Sequence, residues 1–349
     1  MHRWIDDYLQ DGAAVAPDTM AANLLARILR TAVADGADRR EILSALQLDE
    51  ARLRNPFSRI PAEVVAQFFQ LLQKHFNDPA VHLRLGEKAA MRNFSDIGYV
   101  TQFEIDLASV IKAHIQIQSI RQNIVKGHFD AAARPPRFLW EYDAKKSTPY
   151  AAMVEFSVMS YARLSRQVLA EAPLLRSVHF RHTPQFDVAI YTAAFGCPVS
   201  FEMPETCMEM AGRQVFRPSP YANRTLFDLA YRRHQEPVTW LRQGKALLAR
   251  SYFYLTSEID KSPPALDSMA AAFGMSERTL RRKLLTEGMS FRALLERVRR
   301  DLSELYMIEG KRSIGEIALL LGYSDISAFT RAHKKWRGVP PGKVRLTET

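Results

Sequence analysis

The chain has 349 residues, of which 47% are hydrophobic and 25% charged, with a formal net charge of +10. That length accommodates two domains with separate cores, and the composition excludes a disordered or fibrous chain. Two cysteines, Cys197 and Cys207, with no CxxC pair and no partnering His cluster, are too few for a disulfide framework or a structural zinc site.

The first residues include Asp6 and Asp7 where a secretory leader would carry a basic patch. The uncharged run from Val188 to Phe201 is 14 residues long, holds Gly196 and Pro198, and is too short to span a bilayer. The expectation is a cytoplasmic protein without a membrane partner. Its charge is unevenly placed. Residues 237–349 hold 20 Lys+Arg against 12 Asp+Glu, a net of +8, whereas residues 1–236 hold 28 against 26, a net of +2. A positive excess in one third of the chain favours a polyanion there, although a solvated basic face gives the same count.

In chain order, helical spacing of apolar residues predicts helices around Met20–Leu29, Val64–Leu72 and Asp106–Ile120. Near Gly127 the pattern changes. Arg137–Tyr142, Arg176–Arg181 and Val199–Glu202 are rich in aromatic and β-branched residues and predict strands, with a helix over Ser157–Ala170 between them. Residues 1–236 are therefore expected to form a mixed α+β effector-sensing or dimerisation domain with its helices grouped first. A passage from Pro218 to Pro237, holding a short helix over Arg224–His234, leads to residues 237–349. There every signal is helical after a loop at Ser262-Pro263-Pro264.

Residues 265–287 have the make-up of a helix-turn-helix. Leu266, Met269, Ala270 and Phe273 supply an inner face, Gly274 the turn, Ser276 an N-cap, and Leu280 with Leu284 the inner face of the next helix. The outward positions of that second helix are Glu277, Arg278, Arg281, Arg282 and Lys283, a basic stripe. The pattern recurs over residues 313–337. Ser313 and Glu316 have capping-box spacing, Ile317, Ala318 and Leu321 match the inner face, and Gly322 matches Gly274. The following helix aligns at an offset of 49 residues, one more than the glycines, so the second turn is one residue longer. Between the units, residues 291–309 form a long amphipathic helix with Phe291, Leu294, Leu295, Val298, Leu302, Leu305 and Tyr306 on one stripe and Arg292, Arg299 and Arg300 opposite. The fold class expected is an α+β N-terminal domain followed by an all-α C-terminal domain with two helix-turn-helix units joined by a long helix.

Double-stranded DNA is the partner this layout fits. Arg278 and Arg281, near the start of the first recognition helix, are candidates for base-edge contacts, because arginine grips guanine O6 and N7 with two hydrogen bonds. Ser327 and Thr330 hold the matching places in the second unit and can read less. Arg282, Lys283, Arg331, Lys334 and Lys335 are candidates for phosphate contacts. His333 aligns with Leu284 and is expected to be a satisfied core histidine.

Gly274-Met275-Ser276 through Leu284, Ile317-Ala318, Gly322-Tyr323-Ser324-Asp325, Phe329-Thr330-Arg331 and Lys334-Lys335-Trp336-Arg337-Gly338 resemble the DNA-binding domain of the AraC/XylS family. Val339-Pro340-Pro341-Gly342-Lys343-Val344-Arg345 resembles the family's terminal Pro-x-x-Tyr-Arg. His333 and Val344 depart from it, standing where Phe and Tyr are usual. Ile60-Pro61, Gly98-Tyr99 and Phe195–Phe201 resemble the N-terminal domain of the subgroup that includes ornithine-utilisation and virulence regulators, as distinct from the cupin-like arabinose-binding type. The resemblance implies a small-molecule effector, a homodimer, RNA polymerase as a partner and activation more than repression. The alternative is an N-terminal domain that only dimerises.

For the effector pocket, Tyr99, Phe103, Trp140 and Tyr142 are candidate lining residues, and Arg92 and Arg121 are candidates to neutralise an acidic effector. Aromatics at such spacing are more often ordinary core. No phosphate loop, HExxH or GxSxG is present, so no catalysis, cofactor or metal is expected. A repair enzyme fused to a DNA-binding domain would need a reactive thiol, and Cys197 is the one that invites the question.

Overall fold

The structure, a computed structural model, describes residues 18–54, 58–88, 106–122, 124–142, 150–169, 175–219, 222, 236–237, 239–240, 243–260, 264–310 and 312–345. Contacts divide the chain into two compact units, Gly12–Arg224 and a second that includes Thr225–Thr349.

The first unit opens with β1 (Thr19–Ala21), α1 (Ala22–Ala34), α2 (Arg39–Ala45), α3 (Glu50–Arg54), β2 (Arg59–Pro61), α4 (Ala62–Phe76) and α5 (Val81–Lys88). Local chemistry sets several of these ends. The Asp38 carboxylate accepts from the Arg40 and Glu41 amides and starts α2, and Asn77 in the left-handed conformation closes α4. The helical spacing read from the sequence is the packing seen. Leu25, Ile28 and Leu29 of α1 and Val65, Phe68, Phe69 and Leu72 of α4 are buried.

After α6 (Leu107–Arg121) come β3 (Lys126–Asp130), β4 (Arg137–Glu141), α7 (Ala151–Leu169), β5 (Leu175–His179), α8 (Val188–Phe195), β6 (Val199–Ser200) and β7 (Thr206–Met210). The strands form one five-stranded sheet of order β3-β4-β7-β5-β6, antiparallel except for the parallel β5–β6 pair. Phe138, Trp140, Met208, Met210 and Val178 join the helices in a single core. α7 is that core's axis, buried over most of its length. Gly86 lets α5 approach it closely, since a Cβ there would stand 2.9 Å from Met159 Cβ.

The sequence predicted β4, β5 and β6 but neither β7, which pairs with β4 and β5 in mid-sheet, nor α8. α7 begins at Ala151, ahead of the predicted start. The helix expected over Arg224–His234 and most of the Ser262–Pro264 loop lie outside the described residues.

The second unit consists of α9 (Ala246–Glu258), α10 (Leu266–Ala272), α11 (Glu277–Thr286), α12 (Phe291–Glu309), α13 (Ile314–Leu320), α14 (Ile326–Arg337) and α15 (Pro341–Arg345). Its core joins Met269, Ala270, Leu280 and Leu284 to Leu294, Val298 and Leu302 of α12 and to Ile317, Ala318, Leu321 and Phe329. The mixed α+β first unit and helical second unit are the fold class the sequence predicts. No described helix is long and apolar enough to cross a membrane.

Candidate nucleic-acid interface

In the first helix-turn-helix, α10 brings Met269 and Ala270 inward, and the chain reverses at Gly274, whose φ of 63° is a left-handed value that a side chain would strain. The Met275 amide donates back to the Ala270 carbonyl, and the Ser276 hydroxyl accepts from the Thr279 amide to start α11. Leu280 and Leu284 are fully buried, which fixes the rotation of α11 about its axis. Glu277, Arg278, Arg281 and Arg282 are thereby turned outward, and with Leu285 and Thr286 they line one shallow concavity. Lys283 is exposed outside that lining. Among the described residues, no carboxylate forms an ion pair with Arg278, Arg281 or Arg282.

The second unit repeats this geometry. Ser313 accepts from the Glu316 amide at 3.2 Å, and Glu316 accepts from the Ser313 amide at 2.7 Å, a complete capping box. Gly322 turns the chain with φ 69°, and Tyr323 donates to the Ala318 carbonyl as Met275 does to Ala270. The N-cap of α14 is Asp325, three residues after its glycine, whereas Ser276 follows Gly274 by two; this is the longer turn read from the sequence. Phe329 and His333 take the buried places of Leu280 and Leu284. His333 Nδ1 meets the Val339 carbonyl at 2.9 Å, so the polar atom brought into the core has a partner. Ser327 and Arg331 are exposed on α14 and Thr330 is half-buried. Lys334 is exposed, and Lys335 pairs with Glu296 at 3.0 Å.

Several bracing contacts have no local sequence signal. Arg299 sits on the face of α12 that the sequence leaves to solvent, yet it is half-buried. It donates to the Leu321 and Gly322 carbonyls at 2.9 and 2.8 Å and lies 4.5 Å over the Tyr323 ring. It thus ties off the carbonyl end of α13 at the second turn. Burial draws its pKa below the usual guanidinium value. Glu287, just past α11, accepts from the Leu247 and Leu248 amides at 3.2 and 2.6 Å and caps α9. Glu296 accepts from Lys335 and from Trp336 Nε1 at 3.1 Å; hydrogen bonds from both hold its carboxyl below the ordinary value. With the Arg337–Glu304 pair at 2.9 Å, these bonds clamp the end of α14 to α12.

In the first unit, Trp140 is buried against Phe138 and Tyr161 and donates to the Ser157 hydroxyl at 3.0 Å, a core role. The Tyr142 hydroxyl meets Thr206 Oγ1 at 2.8 Å, with the Arg181 guanidinium 5.9 Å from its ring. Burial pushes the Tyr142 phenol up. Arg121 ends α6, and Arg92, Tyr99 and Phe103 lie outside the described residues. Of the six candidates, the structure places only Trp140 and Tyr142 side by side.

A buried polar hub that sequence reasoning missed lies nearby. The Glu155 carboxylate, fully buried on α7, accepts from His82 Nε2 at 2.5 Å, His182 Nε2 at 2.7 Å and the Tyr191 hydroxyl at 2.9 Å. Its partners come from α5, the loop after β5, and α8, so no sequence spacing could announce it. Cys197 and Cys207 are buried, and desolvation pushes both thiols up to about 11, which keeps them protonated and unreactive.

Residues 36–218 match the family model for the arabinose-binding N-terminal domain of AraC transcription regulators, and residues 269–347 match a helix-turn-helix domain. The matched N-terminal segment carries, among its described residues, helices and one five-stranded sheet rather than the double-sheet jelly roll of a cupin. The ornithine utilization regulator of Pseudomonas aeruginosa is 25% identical over 317 residues, covering 89% of this chain and 91% of that protein. VirS of Mycobacterium tuberculosis is 28% identical over 195 residues, 55% of this chain and 56% of VirS. The crystal structure of the transcriptional regulator CdpR from Pseudomonas aeruginosa covers 92% of this chain and 98% of its own, at a TM-score of 0.44 and 17% identity. The chain belongs to the AraC family of transcription regulators and binds DNA through its C-terminal helix-turn-helix domain.

Proposed function

We propose that the chain is a sequence-specific regulator in which α11 and α14 enter successive major-groove segments on one face of the duplex, about 34 Å apart. The observation that carries this is the outer face of α11, three arginines without an ion-pair partner among the described residues, held outward by Leu280 and Leu284. Arg278 and Arg281 contact base edges, with Ser327 and Thr330 in the matching places on α14. Arg282, Lys283, Arg331, Lys334 and Lys335 contact phosphates. A small molecule bound to the N-terminal unit controls operator occupancy, which it does only by binding two states with different affinity. Occupancy as a dimer recruits RNA polymerase and activates transcription.

The test is selection of genomic fragments by the full-length protein at physiological salt, beside the double variant Arg278→Ala/Arg281→Ala. Wild type is expected to enrich two short blocks about one helical turn apart, and the variant to lose the first block. A motif untouched by the double substitution would remove α11 as a reader.

A second reading, in which the N-terminal unit only pairs two chains, draws on α8. That helix is uncharged, and Val188 and Ile190 are 38% and 44% exposed. A saturable thermal shift of the full chain with a metabolite made by a gene beside the selected sites would set this reading aside.

A further inference from the structure

We infer that Leu285 reads a thymine methyl group and is a specificity determinant beside the arginines of α11; this deepens the DNA-reading role proposed above and rests on it. Leu285 is 56% exposed, although Leu280 and Leu284 of the same helix are fully buried. Leaving a leucine in water forgoes about 1.5–3 kcal/mol of burial, so its presence on this face needs an occupant. It follows Arg278, Arg281 and Arg282 by seven, four and three residues, which places all four on one helical stripe, and they line the same concavity. The Thr286 hydroxyl is turned back to the Arg282 carbonyl at 3.0 Å, so the far end of the stripe offers Leu285 as its apolar group.

Charge complementarity names the occupant. The surface is cationic, with one apolar point, and it fits a polyanion that presents an apolar group between hydrogen-bonding edges. In the major groove that group is the C5 methyl of thymine. Four residues of helix separate Arg281 from Leu285, a rise of about 6 Å, so the thymine lies about two base-pair steps from the base that Arg281 contacts. At the 49-residue offset of the repeat, Lys334 stands where Leu285 does. The methyl contact at this register therefore belongs to the first unit alone.

The experiment takes the duplex selected by the full-length protein and replaces each thymine in turn with deoxyuridine, which removes only the methyl. Wild type is expected to lose about three- to tenfold in affinity at one thymine of the first block, of the order of one apolar base contact. Leu285→Ala should bind the parent duplex that much more weakly and be indifferent to deoxyuridine at that position, while Arg281→Ala keeps the sensitivity. Two outcomes overturn the assignment while leaving the DNA-reading role intact: no thymine of the first block responds, or Leu285→Ala still discriminates. If no sequence is enriched at all, the reading beneath it fails as well. Leu285 supports no core contact that its loss would remove, and the thermal midpoint of Leu285→Ala is expected to match wild type.

Discussion

Glu155→Gln tests the polar hub of the N-terminal unit with a change that keeps the side chain's shape. The carboxylate accepts three hydrogen bonds, from His82, His182 and Tyr191. An amide keeps one acceptor oxygen and turns an NH2 group toward groups that are themselves donating. A tautomer change would let His182 accept from it, but would move the ring proton to Nδ1, which is buried with no partner. His82 is fixed the same way, because its Nδ1 faces the Gln73 amide nitrogen at 3.4 Å. One buried donor is left unmet at a cost of about 1–3 kcal/mol, and the remaining bonds lose their charge assistance. The sum is about 3 kcal/mol, which for a unit of this size lowers Tm by roughly 6–12 °C. Thermal unfolding of the full chain reads the shift, and hydrogen exchange in peptides from Ala151–Leu169 assigns it to α7 rather than to the DNA-binding unit. Burial pushes the Glu155 carboxyl up, but the hydrogen bonds from His182 and His82 outweigh this and hold it below its ordinary value of 4.5. A carboxyl depressed in the folded state contributes stability in full above its unfolded pKa and loses it as pH falls through the folded one. The gap between wild type and variant is thus open at pH 7 and narrows below 4.5. A midpoint change under about 2 °C with unaltered exchange in α7 would refute the hub.

Other substitutions separate bracing from reading. Arg299→Met keeps the packed stem but removes two charged bonds to the turn carbonyls and the contact with Tyr323. It should destabilise the second helix-turn-helix by about 2–3 kcal/mol, seen as faster exchange over Ile314–Leu320. Unchanged exchange there would show that the turn stands without it. Lys335→Ala should reduce the salt slope of DNA binding by about one, with sequence preference intact. An unaltered slope would assign Lys335 to its pair with Glu296 alone. With thiols raised to about 11, only about one in three thousand of Cys197 and Cys207 is thiolate at pH 7.5. Iodoacetamide should label them only on unfolding; prompt labelling of the native chain would reopen a covalent role.

The C-terminal unit was legible because its information is local. The turn glycines, the caps at Ser276 and Ser313, and the inner faces of α10, α11, α13 and α14 are patterns within about twenty residues, and each became the contact expected. The N-terminal unit was legible only in part. β7, Thr-Cys-Met-Glu-Met, lies in mid-sheet and buries Thr206, Cys207, Met208 and Met210. A strand covered on both faces loses the alternation that marks one, and its methionines carry no strand preference. α8 failed in the opposite way, because Val188-Ala189-Ile190-Tyr191 has the composition of a strand. Asp187 as N-cap and Gly196 at φ 69° settle it as a helix. Arg299, Glu287 and Glu296 were unreadable as braces for a different reason. Their partners are 22 to 40 residues away, and a charge on a helix reads as solvated until the fold brings an acceptor to it.

These braces bear on how the two units divide the work of recognition. α14 is clamped at its far end by Glu296 and Glu304, and the turn before it is tied off by Arg299. Its groove-facing residues, Ser327 and Thr330, are short. α11 carries long arginines and Leu285, with no ion pair on those arginines among the described residues. Long, unpaired cations gain most from DNA, because nothing within the protein has to be given up when a phosphate or guanine replaces water. A short side chain on a rigidly held helix gains little from a correct base, but it fixes where the helix lies. On this argument sequence preference concentrates in the block under α11. The second unit sets the distance and register at which that block is read, and loosening Arg299 should blur the spacing between blocks before it alters the bases preferred in the first.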